Sequence, residues 1–210
     1  MFINTSSLRC AVMALALAAC AGLASAAGTL HVELDTSGFG SDGWIDLQLN
    51  GSPLSSVSAY ADLSSIVGFG SAAGAQLSNV TGSAADGFHM ENVAGGYNDL
   101  FHAVDYTGGK ISFNISFSGD ADPSGQYGSV FSVALYGADQ FTLLGSSSNI
   151  DGSLLHLNWT PSATVGGQGS VGAETFASGV QVAAAVPEPS TWLLLGAGLG
   201  LIGLARRRKA

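Results

Sequence analysis

Lys110-Ile111-Ser112-Phe113-Asn114-Ile115-Ser116-Phe117-Ser118-Gly119 is the stretch on which the fold class turns. Every second residue from Ile111 to Phe117 is apolar, and the residues between are serine and asparagine. A helix would scatter Ile111, Phe113, Ile115 and Phe117 around its circumference, whereas a strand lines them up on one face. The segment predicts a strand with one dry face and one wet face.

The same alternation recurs on both sides of it. Leu30, Val32 and Leu34 take every second place in TLHVELD, as do Ile45, Leu47 and Leu49 in GWIDLQLN. Further strands are expected in VSAYADL from Val57, AQLSNV from Ala75, GFHMEN from Gly87, SVFSVALYG from Ser129, FTLLG from Phe141, SLLHLNWT from Ser153 and ETFASGVQVA from Glu174. Clusters such as NGSP, GSAAGA, SGDADPSG and GGQGSVG lie between them and supply turn chemistry. Only Asp62 to Gly74 leaves room for a turn of helix. Many short strands with no long amphipathic helix predict an all-β, antiparallel β-sandwich of jelly-roll type. No fixed-period repeat points to a solenoid or propeller.

The two ends follow different rules. Residues 1–26 read as a secretory signal peptide: Arg9 is the sole charge, Ala11 to Ala19 is apolar, and Ala24-Ser25-Ala26 fits the small-x-small cleavage pattern. A second cut is open, since Leu17-Ala18-Ala19-Cys20 has the form of a lipobox whose cysteine would be lipidated; the later site is preferred because the apolar run continues to Leu23.

Residues 27–185 form the expected passenger domain, long enough for one core and too short to suggest two. Both cysteines of the chain, Cys10 and Cys20, precede it, so it has no disulfide and no thiol nucleophile. The whole chain has net charge −9. The passenger is more acidic, with 14 Asp and Glu against the single Lys110, a net −13. A surface without arginine cannot fork onto phosphates, which argues against nucleic acid and anionic membrane surfaces as partners and leaves divalent cations, basic proteins and neutral sugars.

Motifs for chemistry are sparse. Gly38–Gly43 and Gly167–Gly172 both match G-x-G-x-x-G, but strands are expected after them rather than the helix that a pyrophosphate requires. His31, His89, His102 and His156 show no i, i+4 pair of the zincin kind, and His31 and His156 read as wet-face strand residues. No G-x-S-x-G elbow supports a serine hydrolase.

Asp120 and Asp122 are spaced D-x-D in an expected loop and are the candidate calcium ligands, with Asp139 or Asp99 to complete the shell. The plain alternative is a solvated loop whose turn Pro123 fixes. Tyr60, Tyr97, Tyr106, Tyr127, Tyr136, Trp159 and Trp44 are candidates for stacking on a sugar, against core or rim packing as the commoner use of such rings. Three readings can be told apart. A structural protein predicts a smooth polar surface, a carbohydrate-binding module predicts a sheet face or cleft with two or more exposed aromatics, and an enzyme predicts His and carboxylates converging in one cleft.

The C-terminal residues 186–210 read VPEPSTWLLLGAGLGLIGLARRRKA. Trp192 to Ala205 is 14 residues without a charge, a helix of about 21 Å against a bilayer core of about 30 Å. It spans only with help from Trp192 in one interface and from Arg206, Arg207, Arg208 and Lys209 snorkelling on the cytoplasmic side. Gly196, Gly198, Gly200 and Gly203 weaken it further.

Pro187-Glu188-Pro189, then a glycine-bearing apolar helix, then Arg206-Arg207-Arg208-Lys209, resembles the PEP-CTERM sorting signal. The resemblance implies a Gram-negative, biofilm- or exopolysaccharide-forming bacterium and an exosortase, a membrane protease that recognises Pro187, Glu188 and Pro189. That enzyme removes the helix and releases or transfers the passenger. The passenger itself is similar to a family of PEP-CTERM proteins without assigned activity through His31 to Ser37, Gly43 to Asn50, Asn98 to Phe101 and Ser129 to Tyr136, a likeness that implies one domain and brings no reaction with it.

The expected role is an exported, non-enzymatic protein of the cell surface or matrix, structural or adhesive and associated with exopolysaccharide. A carbohydrate-binding module is the alternative, and a calcium-stabilised surface enzyme is a more distant one.

Overall fold

The computed structural model describes residues 28–51, 57–93, 96–125 and 127–185. The expected signal peptide with Arg9 and Cys20, and the tail with Pro187 to Pro189, its transmembrane helix and Arg206 to Lys209, lie outside the described residues.

Strand formation follows the alternation of the sequence. The described residues form β1 (Leu30–Asp35), β2 (Asp42–Gly51), β3 (Ala59–Val67), β4 (Gln76–Ser78), β5 (Val80–Ser83), β6 (Gly87–Glu91), β7 (Asp99–Asp105), β8 (Lys110–Gly119), β9 (Ser129–Gly137), β10 (Leu143–Leu144), β11 (Leu155–Thr160), β12 (Ser170–Thr175) and β13 (Val180–Ala184). No helix occurs among them. Two antiparallel sheets result. The six-stranded sheet has the order β13-β1-β8-β3-β6-β5, and the seven-stranded sheet has β12-β11-β9-β2-β7-β4 with β10 on β9.

Pairing is nested around the middle of the chain. β1 pairs with β8, β2 with β7 and β3 with β6, so each outer strand meets the return of the same ribbon. The ribbon divides at Asn79, the one residue between β4 and β5. Its φ of +54° is a left-handed conformation that asparagine tolerates better than most residues, and it lets the chain leave β7 and join β6.

The dry faces of both sheets make one core. Val32, Leu34, Ile111, Phe113, Ile115 and Met90 come from one side, and Ile45, Leu47, Leu49, Phe131, Val133 and Leu157 from the other, all essentially without exposed surface. Phe113 of β8 meets Phe131 of β9 across the interface, with ring centroids 6.2 Å apart at 66°. Each such side chain contributes about 1.5–3 kcal/mol of burial free energy, which serves in place of disulfides here.

Three local expectations are corrected. Asp62 to Gly74 holds no turn of helix: β3 runs to Val67, with its register to β8 shifted after Ser64 by the left-handed Ser65. ETFASGVQVA is not one strand, because the chain turns after Thr175 and passes from the seven-stranded sheet to the six-stranded one. β7 went unread as a strand. Its inward row is Leu100, His102 and Val104, and the histidine in the middle breaks the apolar pattern.

Candidate functional site

The wet face of the seven-stranded sheet gathers the chemistry. Alternation on β2 buries Ile45, Leu47 and Leu49 and turns Trp44, Asp46, Gln48 and Asn50 outward. Register then sets their neighbours. Trp44 faces Ala103 and Tyr136, Asp46 faces Phe101 and Ala134, and Gln48 faces Asp99 and Ser132, which in turn faces His156.

The rings form a patch. Trp44 and Phe101 stack with centroids 4.9 Å apart and planes 12° apart, and Phe101 meets Tyr136 edge to face at 5.8 Å and 73°. All three remain partly exposed. Beside them opens a cleft of about 240 Å³, lined among others by Asp46, Gln48, Ser132, Tyr136, Asp151 and His156.

Hydrogen bonds run along β2 toward the acid. Asn50 Nδ2 donates to Gln48 Oε1 at 3.1 Å, and Gln48 Nε2 donates to Asp46 Oδ2 at 2.8 Å. Asp46 Oδ1 lies below the surface with no hydrogen-bond partner. Burial therefore pushes the Asp46 carboxyl up to about 6; the Gln48 amide opposes the rise and the charge of Asp99 adds to it.

Asp151 behaves in the opposite way. Its partial burial raises the carboxyl, but the Ser153 N–H, donating to Oδ1 at 2.8 Å, and then His156 together hold it below the ordinary value. His156 Nε2 lies 3.5 Å from Asp151 Oδ2 and 3.4 Å from Asn149 Nδ2, and its ring packs edge to face on Phe176. The Tyr136 hydroxyl is raised by burial first and then by the charges of Asp46 and Asp151, whose fields both reach it.

Tyr106 fixes this face from beneath. It is buried, and its hydroxyl donates to the Tyr136 carbonyl at 2.9 Å, with the Trp44 carbonyl 3.3 Å away. Gly43 makes room for it, because a Cβ there would overlap both the Tyr106 ring and the Tyr136 carbonyl. Burial raises the Tyr106 hydroxyl strongly, so it serves as a neutral donor.

The aromatic candidates separate cleanly. Trp44 and Tyr136 belong to the patch, while Tyr106 and Trp159 are core residues. Tyr60 stacks on His89 on the other sheet, Tyr97 is an exposed loop residue, and Tyr127 lies in the β8–β9 loop. The histidines disperse as well. His31 Nδ1 is 2.8 Å from Asn114 Oδ1, and His89 Nδ1 is 2.7 Å from Asp62 Oδ1. His102 is buried against Phe69 and Phe88 with Nδ1–H donating to the Ala103 carbonyl at 2.7 Å, which leaves His156 as the histidine of the cleft.

Asp120 and Asp122 lie in the loop between β8 and β9. Asp122 is buried, its Oδ1 accepting from Ser124 N at 2.9 Å and Ser124 Oγ at 2.5 Å, and its Oδ2 from Tyr127 N at 2.9 Å. Asp139 stands beyond the far end of β9, a strand of 9 residues, so about 30 Å of strand separates it from that loop. Among the described residues no three His, Cys, Asp or Glu side chains gather as a metal set. Both G-x-G-x-x-G stretches lead into strands, β2 and β12.

The sequence reading passed over Asp46, Phe101 and Asp151. Asp46 was legible as part of the outward series Trp44-x-Asp46-x-Gln48-x-Asn50, but Phe101 and Asp151 join it only through register and loop packing.

The chain matches no curated protein and no solved structure. The PEP-CTERM protein-sorting motif matches residues 185–209, the segment that carries Pro187-Glu188-Pro189 and the Arg206 to Lys209 cluster. This motif is recognised by exosortase, and it marks the chain as an exported protein made as a membrane-anchored precursor.

Proposed function

We propose that this is a structural or adhesive protein of the cell surface or extracellular matrix of a Gram-negative bacterium, which holds exopolysaccharide on the wet face of its seven-stranded sheet and is not an enzyme. The observation that carries the reading is the Trp44–Phe101–Tyr136 patch beside a polar cleft. Partly exposed rings stack on the apolar faces of sugars, and Gln48, Asn50 and Ser132 supply the hydrogen-bonding groups that hydroxyls need. The nested pairing of β1 with β8, β2 with β7 and β3 with β6 supports a jelly-roll class, with β5 displaced onto β6. In this reading the exosortase recognises Pro187, Glu188 and Pro189, and Arg206, Arg207, Arg208 and Lys209 hold the cytoplasmic side until the helix is removed.

Affinity electrophoresis against a polysaccharide panel that includes the host's own polymer tests the role. Retardation by at least one polymer, lost on Trp44→Ala, is expected; mobility unchanged by every polymer overturns it. Tags placed before Pro187 and after Lys209 test the sorting, and retention of both on one polypeptide in normal cells overturns processing.

One observation favours a second reading, hydrolysis of the same polymer. Asp46 is held toward its protonated form and Asp151 toward its ionised form in one cleft with His156, the split that an acid and a base need. Release of reducing ends that Asp46→Asn abolishes would establish it, and binding without release would exclude it.

A further inference from the structure

The chemical class of the ligand follows from what the cleft lacks. Asp46 on β2 shares the cleft with Tyr136 on β9, Asp151 in the loop before β11 and His156 on β11, and the charge of Asp99 on β7, opposite Gln48, also reaches it. His156 is the sole group among these able to carry a positive charge, and it is already beside Asp151. The passenger's single lysine is elsewhere. Lys110 Nζ is 3.0 Å from Glu33 Oε2 on the six-stranded sheet. Asp46 Oδ1 is buried without a donor and Oδ2 accepts from Gln48 Nε2 at 2.8 Å, so what the carboxylate lacks on the cleft side is a counter-charge.

We infer that the cleft takes an amine-bearing sugar, a free ammonium group of a hexosamine unit, with the sugar ring lying on the Trp44–Phe101–Tyr136 patch. An ammonium brings three N–H donors and the missing charge in one small group, and it gains further from the faces of neighbouring rings. A uronic acid or a phosphorylated sugar would add a further anion to the field of Asp46, Asp99 and Asp151 and is repelled. A neutral N-acetyl group carries one N–H and no charge, so it leaves Asp46 uncompensated. The cleft, at about 240 Å³, is below the ~300–1,000 Å³ of pockets that enclose a whole small molecule. That size suits one unit of a polymer running along the face.

This inference rests on the glycan-binding reading, and its test separates the two. The full chain in neutral detergent is titrated calorimetrically at pH 6.5 with a glucosamine hexamer and with the N-acetylglucosamine hexamer. At least tenfold tighter binding of the amine-bearing hexamer is expected. Asp46→Asn should erase that preference with an unchanged circular dichroism spectrum, and Glu33→Gln should leave it intact. Equal weakening by both substitutions would assign the binding to diffuse attraction by the acidic surface and overturn the inference. Tighter binding of the N-acetyl hexamer would overturn the amine class while upholding glycan binding. Silence from both hexamers would overturn the inference, and the polysaccharide panel then decides the broader reading on its own.

Discussion

The two sheets present wet faces built by the same alternation and used differently. On the six-stranded sheet the polar side chains answer one another: Lys110 with Glu33 at 3.0 Å, His89 with Asp62 at 2.7 Å, His31 with Asn114 at 2.8 Å, and Tyr60 stacked on His89. On the seven-stranded sheet Asp46 keeps an oxygen without a donor, and three rings lie side by side, partly open. Alternation decides which residues are wet. Cross-strand register decides whether a wet residue is already occupied, and only an unoccupied face has capacity for a ligand.

The largest expected effect removes the support that both faces share. Phe131 packs on Phe113 and Phe117 between the sheets, so Phe131→Ala should cost about 3–5 kcal/mol in urea unfolding and weaken both faces together. Loss of the cleft with unchanged stability would show that the faces do not share one core.

Next comes the pH response of Asp46, which distinguishes the faces directly. Its folded carboxyl sits at about 6 instead of 3.8, so the folded state binds this proton more tightly than the unfolded one. The stabilisation is fully present below about 4 and is lost as pH rises through about 6, an effect of at most about 3 kcal/mol. Urea midpoints at pH 4.5 and 7.5 should therefore differ, and Asp46→Asn should flatten that difference and raise stability at pH 7.5. An unaltered pH slope in the variant would place the buried charge elsewhere.

Tyr106→Phe should cost about 1–2 kcal/mol, because the Tyr136 carbonyl loses its buried donor. It should also shift Trp44 fluorescence while leaving His89 and Asp62 resonances in place. Glu33→Gln is the smallest change. It breaks an exposed pair worth under about 1 kcal/mol, and melting should scarcely move.

Much of this architecture could be read from the chain before any coordinates. KISFNISFSG is β8 as written, and the outward and inward rows of β1 and β2 follow their alternation, whereas β9 buries Val133, Ala134 and Leu135 in succession. β7 escaped because His102 takes an inward place, where only the contacts with Phe69 and Phe88 explain it. The candidate site escaped for a different reason. Trp44 and Tyr136 are 92 positions apart in sequence and adjacent in register, a relation that no local pattern encodes. Asp122 shows the converse case: a D-x-D spacing suited to a cation is also the spacing of a loop that folds around its own carboxylate.

β13 ends its ladder with Ala184 opposite Leu30, and the sorting motif begins at the very next residue. The five rungs from Leu34–Val180 to Leu30–Ala184 thus bring β13 into the sheet up to the residue before the motif. A cut at or beyond Ala185 yields a product whose sheet keeps its closing strand. A cut upstream of Val180 would bare the β13-facing edge of β1, which keeps only β8 on its other side, and leave a template for strand addition by neighbouring chains.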